Sequence, residues 1–307
     1  MRNAYLTTLH ELAKADRNVI ALISDNGAIV YDKFRADFPD QYLNCGISEA
    51  NMIGVSAGLA SCGKIPFAYT ISNFLVYRAY EQIRNDVCLQ KMNVKLVGIG
   101  VGFVYSNLGP THHGTEDIAV MRCLPNMTIF SPADAIEARN VTMAAAALKG
   151  PVYIRLATGG SPVVYEKDYD FVVGQAVELK EGTDITLMST GSGVFEVLKT
   201  VRELEKEGIS AGLLNFHTIK PIDRAGIVRA ASKTGRVLVV EEQNLNGGFG
   251  SAVAEVLIEE GVGKCRFGRM GLCDKFAQGY GTYDDLKAMN GLSKAHIVET
   301  AKNMVRA

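Results

Sequence analysis

The heptapeptide VKLVGIG at residues 94–100 is apolar on both faces, and it decides the fold class. A strand with one solvated face alternates apolar and polar residues, whereas strands covered by helices on both sides do not. A second run of this kind, RVLVVEE, occupies residues 236–242. Short β-branched runs recur along the chain, and stretches with helical periodicity follow them. The pattern predicts an α/β protein with mainly parallel sheets.

The predicted elements alternate along most of the chain. Strands are predicted at Asn18–Ser24, Ile65–Thr70, Val94–Gly100, Met127–Ser131, Val152–Leu156, Asp184–Ser189, Ala211–Phe216, Val237–Glu241 and Cys265–Gly271. Helices are predicted at Asn3–Ala15, Ser48–Cys62, Leu75–Gln90, Ala133–Leu148, Val194–Glu207, Asp223–Ala231, Gly250–Glu259 and Lys294–Val305. The alternation breaks at residues 157–171, ATGGSPVVYEKDYDF, which show no helical periodicity. We therefore predict two α/β domains, residues 1–165 and 166–307, each a mainly parallel sheet flanked by helices.

The composition excludes several classes of protein. The chain has 307 residues, 48% of them hydrophobic, and its 32 Lys+Arg against 33 Asp+Glu give a formal charge of -1. This balance lacks the basic field that binding to nucleic acid or to an anionic membrane requires. No apolar run approaches the roughly 18 residues of a membrane helix. We therefore expect no nucleic-acid partner and no membrane partner.

The cysteines indicate a reducing environment. They are scattered, with no CxxC pair and no His at metal-ligand spacing: Cys45, Cys62, Cys88, Cys123, Cys265 and Cys273. The first residues form no apolar signal segment. We therefore predict free thiols in a cytoplasmic protein, and no metal site on this chain.

Residues 44–64, NCGISEANMIGVSAGLASCGK, predict a helix with an unusually small surface. Its small residues, among them Gly54 and Gly58, let another backbone approach closely. Glu49 lies in the first turn, where a carboxylate stabilises the helix dipole. The position of Glu49 at a helix start does not by itself make it a catalytic residue.

Two further stretches carry aromatic and histidine side chains. Phe74, Tyr77 and Tyr80 are spaced i, i+3, i+6 along a predicted helix, a pattern typical of a core but compatible with a cofactor pocket. Gly109 and Pro110 form a turn that presents His112 and His113. Adjacent histidines point in different directions and make a poor zinc pair, so we expect at least one to face a cleft.

In this order and at this spacing, the three stretches resemble the C-terminal half of transketolase: a pyrimidine-binding domain followed by the transketolase C-terminal domain. The resemblance extends from Arg2 to FAQGYGTYDDLKAMNGL at residues 276–292, and GISEANM beside GPTH is its most specific part. The GDG and Asn-Asn pattern that holds Mg²⁺ and diphosphate in such enzymes is not found. The resemblance thus implies a split enzyme, in which a separate N-terminal-type chain supplies the Mg²⁺ ligands and binds the diphosphate. It further implies a heterotetramer of two copies of each subunit.

The resemblance also implies the roles of individual residues. Glu49 matches the glutamate that hydrogen-bonds N1' of thiamine diphosphate, and His112 matches a histidine that contacts the substrate near the reacting carbons. The implied reaction moves a two-carbon ketol unit from a ketose to an aldehyde such as an aldose. The implied cofactor-binding residues are Glu49, Phe74, Tyr77, Tyr80 and Asp25, and the implied substrate-binding residues are Arg2, His112, His113, Arg78 and Leu108.

Departures from the family pattern bear on the substrate. Transketolases carry a phosphate-binding Ser at a position that falls near Ile29 here, and a phosphate-binding Arg at a position near Thr158. The Asp that binds a sugar hydroxyl is replaced by Leu108, and a His of the substrate channel falls at Gly100. A hydroxyl does not replace a bidentate guanidinium clamp on a phosphate without loss. We therefore predict a non-standard ketose, and a rearranged anion pocket from Arg78, His113, Arg155 and Tyr105.

Three alternatives stay open from the sequence. The chain could be a subunit similar to 1-deoxyxylulose-5-phosphate synthase, a 2-oxo acid dehydrogenase E1 β-type subunit, or a non-catalytic assembly or regulatory partner. Two glycine-bearing helix starts, TGSG at residues 190–193 and NGGFGS at residues 246–251, fit either anion binding or close packing of helix on sheet. We favour close packing for both.

Overall fold

The computed structural model describes residues 1–27 and 29–306. The strands are β1 Val19–Ile23, β2 Tyr42–Asn44, β3 Ile65–Ile71, β4 Lys95–Ile99, β5 Thr128–Phe130, β6 Val152–Leu156, β7 Val177–Lys180, β8 Ile185–Ser189, β9 Ala211–Asn215, β10 Thr218–Lys220, β11 Arg236–Asn244 and β12 Arg266–Leu272. They form a seven-stranded sheet in the order β10-β5-β6-β4-β3-β1-β2 and a five-stranded sheet in the order β12-β11-β8-β9-β7. Among the strands of the described residues, the β10–β5 and β7–β9 pairs are antiparallel and the others parallel. The predicted fold class is therefore confirmed.

Helices cover both sheets. They are α1 Arg2–Ala15, α2 Asp32–Asp37, α3 Glu49–Ser61, α4 Ser72–Arg78, α5 Tyr80–Gln82, α6 Asp117–Arg122, α7 Ala135–Ala147, α8 Val194–Lys206, α9 Arg224–Thr234, α10 Phe249–Glu259, α11 Tyr283–Met289 and α12 Lys294–Arg306. Strands β1, β4, β6, β8 and β9 are buried along their whole length. Their burial on both faces explains why their sequences do not alternate.

Nearly all predicted elements agree with the structure, and the differences have local causes. The helix predicted at residues 75–90 begins earlier, at Ser72, and is interrupted at Ala79, whose φ of −107° and ψ of 17° leave the helical region. Residues 83–88 then form a π-helical turn. Strands β2, β7 and β10 lie outside the predicted elements, because each is a short edge strand of three or four residues.

One edge strand links the two halves of the chain. β10 comes from the second half but pairs with β5 of the first sheet, with Thr218 opposite Phe130. The amide of Ser131 also donates to the carbonyl oxygen of His217 at 2.9 Å. The halves are thus joined by backbone hydrogen bonds as well as by side-chain packing.

The stretch that breaks the alternation is fixed by a buried carboxylate. Glu137 is completely buried near the start of α7 and accepts a hydrogen bond from the Tyr169 hydroxyl at 2.7 Å. The side-chain amide of Asn215 in β9 donates to Glu137 at 2.7 Å and to the Tyr165 hydroxyl at 2.8 Å. Residues from the break, from α7 of the first half and from β9 of the second half therefore share one polar network.

Two expectations about the chain as a whole can be compared with the structure. All six cysteines are free thiols, as predicted. Among residues 1–27 and 29–306, no helix has the length and apolar character needed to cross a lipid bilayer.

His217 makes acid stability a testable property of the fold. Its ring is buried and lies 4.2 Å from the ring of Phe171, and burial lowers its pKa to about 4 although Asp223 acts in the opposite direction. The unfolded chain protonates this ring near pH 6.5, so stability is full above that pH and falls as the pH approaches 4. We expect the wild-type protein to lose roughly 2.5 kcal/mol between pH 7.5 and 4.5 through this group alone.

Urea unfolding at the two pH values measures this effect. His217→Phe keeps a flat ring against Phe171 and cannot be protonated, so its unfolding free energy should depend less on pH. His296→Phe is the matched control, because His296 is exposed. Equal pH dependence in wild type and His217→Phe would contradict the prediction.

Candidate functional site

The candidate site lies at the carboxyl edge of the first sheet. Ser24 follows β1, α4 follows β3, and the segment from Gly100 to Gly114 follows β4. Because these strands are parallel neighbours, their carboxyl ends meet at one edge, where ligands bind in open α/β sheets. This topology brings together three stretches that are distant in sequence.

Glu49 is held in this edge by two side chains. It begins α3, and only 3% of it is exposed. The Ser24 hydroxyl donates to Glu49 Oε1 at 3.0 Å, and Arg78 Nη1 donates to Oε2 at 3.2 Å. The carboxylate is therefore fixed in position and not merely a charge at a helix start.

Arg78 connects Glu49 to an aromatic wall. Its guanidinium carbon lies 4.1 Å from the centre of the Phe74 ring. The Phe74 ring is 5.1 Å from the ring of His112, which in turn lies 6.3 Å from that of Tyr105. The structure thus places Glu49, Arg78, Phe74 and His112 in one continuous chain of contacts.

The two tyrosines of the predicted strip differ in their surroundings. Tyr77 is 40% exposed, and its hydroxyl donates to Glu116 Oε2 at 3.0 Å. Partial burial, together with nearby carboxylates, raises the pKa of Tyr77. The Tyr80 hydroxyl instead donates to the carbonyl oxygen of Val120 at 2.9 Å, and its ring packs against the core. Tyr77 therefore presents a ring at the surface, while Tyr80 holds α6.

The two adjacent histidines also separate. His112 is half-buried, with Nδ1 3.0 Å from the hydroxyl of Thr111. His113 is 1% exposed, and its Nε2 lies 3.3 Å from the carbonyl oxygen of Ser106. Burial lowers the pKa of His113. The structure therefore brings His112 to the aromatic wall and places His113 inside the loop that carries it.

Asp25 and Leu108 lie at the margin. Asp25 has a φ of 57° and exchanges two hydrogen bonds of 3.1 Å with Asn44, one of them through its own amide. It directly follows Ser24, the partner of Glu49. Leu108 is 47% exposed on a short 3-10 turn.

Arg2 occupies a separate end of the edge. Its Nε is buried and has no hydrogen-bond partner among the described residues. A Cβ added at Gly159 would lie 3.6 Å from Arg2 Nη2, so the guanidinium faces the loop that follows β6. Burial raises the pKa of Tyr105, and the positive charge of Arg2 opposes this shift. Arg2 is thus oriented beside Tyr105 with hydrogen-bonding capacity unused.

The predicted anion pocket is wrong in one of its members. Arg155 is 4% exposed, and its Nε and Nη2 donate to the two oxygens of Asp117 at 2.6 and 3.0 Å. Its Nη1 donates to Ser131 at 2.9 Å. Every nitrogen of this guanidinium is therefore used inside the protein, and no face of it can bind a substrate anion.

The roles of some residues of the site were not predicted from the sequence. Glu116 and Asp117 show only the pattern of a helix start, but Glu116 holds Tyr77 and Asp117 holds Arg155. Asn73 donates to the carbonyl oxygens of Thr111 at 3.2 Å and of His113 at 2.9 Å. Asn73 shows no local pattern, because its partners lie about forty residues along the chain. The one sequence feature that could have drawn attention to Glu116 and Asp117 is that they are adjacent acids at a helix start.

The two glycine-bearing helix starts support close packing. The carboxylate of Glu241 accepts hydrogen bonds from the amides of Phe249 at 2.6 Å and Gly250 at 2.8 Å, so the start of α10 holds an anion of the chain itself. Gly191 has a φ of 60°, and a Cβ there would lie 2.6 Å from Ser131 Oγ. Gly191 thus allows the second half to approach the first, whereas Gly250 allows α10 to pack against Glu241 and Arg269.

The sequence predicts no metal site on this chain. Within residues 1–27 and 29–306, no group of three or more His, Cys, Asp or Glu side chains could hold a metal ion.

Comparisons with known proteins identify the family. The model of the transketolase pyrimidine-binding domain matches residues 1–161, and that of the transketolase C-terminal domain matches residues 174–297. The chain belongs to the transketolase family. The boundary predicted near residue 165 falls between the two matched ranges and stays a prediction.

Relatives within the transketolase family match the chain along almost its whole length. An apulose-4-phosphate transketolase subunit of Phocaeicola vulgatus is 37% identical over 307 residues, covering 99% of this chain and 97% of that protein. A 6-deoxy-6-sulfo-D-fructose transketolase subunit of Clostridium sp. is 38% identical over 312 residues, covering 99% of this chain and 95% of that protein. A split-gene transketolase solved as an inactive β4 tetramer has a TM-score of 0.91 and 39% identity, covering 99% of this chain and 98% of that one.

These relatives bear out the resemblance seen in the sequence and the function predicted from it. The predicted function is that of the C-terminal subunit of a split transketolase, which transfers ketol groups together with a partner subunit. Transketolase membership also implies dependence on thiamine diphosphate. The roles of individual residues stay predictions.

Proposed function

We propose that this chain supplies the pyrimidine side of a thiamine diphosphate site, and that Glu49 is the residue that hydrogen-bonds N1' of the cofactor. The observation that carries the proposal is the buried Glu49 carboxylate, fixed by Ser24 and Arg78 beside an aromatic wall. A buried carboxylate next to a heterocycle is well placed to share a proton with a ring nitrogen.

The residues present fit the cofactor. Glu49 offers a carboxylate, Phe74 and Tyr77 offer rings, and Tyr77 is exposed although its hydroxyl is held by Glu116. Aromatic faces of this kind suit a flat heterocycle. The bound cofactor supplies the electron sink that allows the carbon–carbon bond of a ketose to break.

The residues of the chain itself have separate tasks in this proposal. Ser24 and Arg78 orient Glu49, and the burial of Glu49 keeps water away from its carboxylate. The Arg78 side chain is 51% exposed and stacks on Phe74, so it joins the carboxylate to the aromatic wall. His112 lies across the Phe74 ring and contacts the substrate near its reacting carbons.

The partner is a diphosphate-binding chain of the N-terminal transketolase type, in a heterotetramer with two copies of each chain. That chain contributes the ligands of Mg²⁺. Two observations support a partner chain: the relatives are named as subunits, and one face of α3 is open. Gly54 and Gly58 have no atom within 4 Å of an added Cβ, which leaves this face of the Glu49 helix open to a close neighbour.

The substrate is a ketose that differs from the usual pentose phosphates, with an aldose or related aldehyde as acceptor. The named substrates of two relatives, apulose 4-phosphate and 6-deoxy-6-sulfo-D-fructose, are of this kind. A Cβ at Gly100 would lie 1.9 Å from the Tyr105 ring, so Tyr105 fills the space of any side chain there. Arg2 keeps an unused donor for a distal anionic group. The pocket thus combines one cation with an added aromatic wall.

The test is reconstitution with a diphosphate-binding transketolase chain, followed by a screen of ketose donors against aldehyde acceptors. Ketol exchange without release of gas is the expected result, whereas release of CO₂ from pyruvate would favour the two alternative enzyme classes. Xylulose 5-phosphate and ribose 5-phosphate should react poorly. Their conversion at ordinary transketolase efficiency would contradict the proposed substrate class.

Tyr77 provides a separate test of cofactor binding. We expect Tyr77→Ala to weaken the affinity of the assembled pair for thiamine diphosphate roughly 2- to 10-fold, because a stacked aromatic pair is worth about 0.5–1.5 kcal/mol. Tyr77→Phe keeps the ring and loses only the bond to Glu116, so it should bind nearly as well as wild type. Fluorescence titration with the cofactor measures both. Equal affinities of the Ala and Phe variants would show that this ring does not stack on the cofactor.

A further inference from the structure

The loop that carries His112 is held from the second half of the chain. At the end of β11, one oxygen of Glu242 accepts hydrogen bonds of 3.3 Å from the amide of Phe103 and from the hydroxyl of Ser192. The other oxygen accepts a hydrogen bond from the hydroxyl of Tyr283. Phe103 is completely buried, and Glu242 accepts the hydrogen bond of its amide inside the protein.

Gly102 allows Glu242 to reach this position. A Cβ added at Gly102 would lie 2.3 Å from Glu242 Oε2 and 3.0 Å from Glu242 Cβ. Real Cβ atoms do not approach other atoms so closely, so the carboxylate and a side chain at position 102 exclude each other. The absence of a side chain at Gly102 is therefore a condition for the contact.

The next two residues of β11 hold the other end of the same loop. Gln243 Nε2 donates to the carbonyl oxygen of Gly114 at 2.7 Å, and its Oε1 accepts from the amide of Ile118 at 3.3 Å. The amide of Asn244 donates to the carbonyl oxygen of Thr115 at 2.7 Å. Three consecutive residues of one strand thus fix the segments before and after residues 104–113.

We propose that Glu242 is a positioning residue for His112: through the amide of Phe103 it fixes the first stem of the loop that places His112 across the Phe74 ring. Gln243 fixes the second stem. The inference rests on the proposed function, because His112 matters only if the wall of Glu49, Phe74 and Tyr77 is a reaction site. It gives the second half of the chain an indirect part in substrate binding, through the position of His112.

Glu242 should act on the substrate and not on the cofactor. The ring of Tyr77 is held by Glu116, whose helix is tied to Gln243, so it keeps its place when Glu242 is changed. His112 sits within the loop that Phe103 begins, so we expect it to shift, although Asn73 also binds the carbonyl oxygens of its neighbours Thr111 and His113. Displacement of a contacting group by about 1 Å costs on the order of 100-fold in rate.

The first experiment compares Glu242→Ala and Glu242→Gln in the reconstituted pair. For Glu242→Ala we expect kcat/KM for the ketose to fall roughly 100-fold, while the affinity for thiamine diphosphate stays within about twofold of wild type. Glu242→Gln keeps an oxygen for the amide of Phe103, so it should recover at least tenfold of the loss. Equal losses of ketose efficiency and cofactor affinity in both variants would overturn the proposal.

The second experiment needs no activity. Hydrogen exchange of the amides in residues 104–113, measured in the full chain, should be at least tenfold faster in Glu242→Ala than in wild type or Glu242→Gln. Unchanged exchange in Glu242→Ala would overturn the proposal. Failure of the wild-type pair to transfer ketol groups would refute the proposed function, and this comparison would still decide whether Glu242 holds the loop.

A glycine pair provides the matched control. Gly102→Ala and Gly208→Ala both place a side chain at a positive φ, 59° and 79° respectively, so both carry the same kind of backbone strain. An added Cβ meets nothing within 4 Å at Gly208 but meets Glu242 at Gly102. We expect only Gly102→Ala to accelerate exchange in residues 104–113. Equal exchange in the two variants would overturn the inference.

Discussion

Glu49→Gln in the reconstituted pair should lower ketol transfer by roughly 10²–10⁴-fold, the range that a positioned proton-transfer group contributes. Glutamine has the same shape and can still accept the hydrogen bond from Ser24, which in wild type is 3.0 Å long. It cannot take up a proton at neutral pH. The variant should therefore keep the fold and the assembly, which circular dichroism and size-exclusion chromatography check, and lose turnover.

The control for this variant removes a negative charge that has no such contacts. Glu81 lies on α5, close in sequence after Arg78, and is exposed. Glu81→Gln should leave turnover close to that of wild type. Turnover of Glu49→Gln within about threefold of wild type would remove the proton-transfer role proposed for this carboxylate.

Asp117→Ala should produce the largest loss of stability. Asp117 is completely buried and accepts four hydrogen bonds: two from Arg155, one from Tyr153 at 2.7 Å and one from Gln243 at 3.0 Å. Its removal leaves the guanidinium of Arg155 buried without a counter-charge, which costs about 3–5 kcal/mol. This is a large part of the roughly 5–15 kcal/mol typical of a folded domain. Urea unfolding measures the loss.

Two comparisons separate this effect from the loss of any ion pair. Asp117→Asn keeps an acceptor for Arg155 and should destabilise the protein less than Asp117→Ala. Arg224 pairs with Glu259 and Glu260 on the surface, so Arg224→Ala should not change the unfolding free energy measurably. A loss in Asp117→Ala no larger than that in Arg224→Ala would mean that the buried network contributes nothing.

The sequence alone determined the fold class and most element positions, because the period of the apolar residues is a local property. Runs such as residues 94–100 indicate strands that are covered on both faces. The helix at residues 49–61 lies within the predicted range of residues 48–62. The short edge strands and the interruption at Ala79 could not be predicted, since they depend on pairing and packing with distant segments.

The sequence also determined which stretches approach the site, through the order and spacing of the motifs around Glu49, Tyr77 and His112. It could not rank the residues within a stretch. His112 and His113 are equivalent in sequence, yet one ring faces Phe74 and the other is buried against Ser106. The difference of one residue turns a side chain by about 100° on a helix or to the opposite face of an extended chain.

Only the tertiary structure decided what the charged residues do. Arg155 is bound by Asp117, which lies 38 residues away, and Phe103 by Glu242, which lies 139 residues away. No local sequence pattern predicts such a pair. The parallel sheets bring strand ends together that are far apart in sequence, and the residues between them do not depend on the contact. A free cation for substrate and a buried structural cation therefore have the same appearance in sequence. Hydrogen-bonding partners and burial, which only the folded chain supplies, distinguish them.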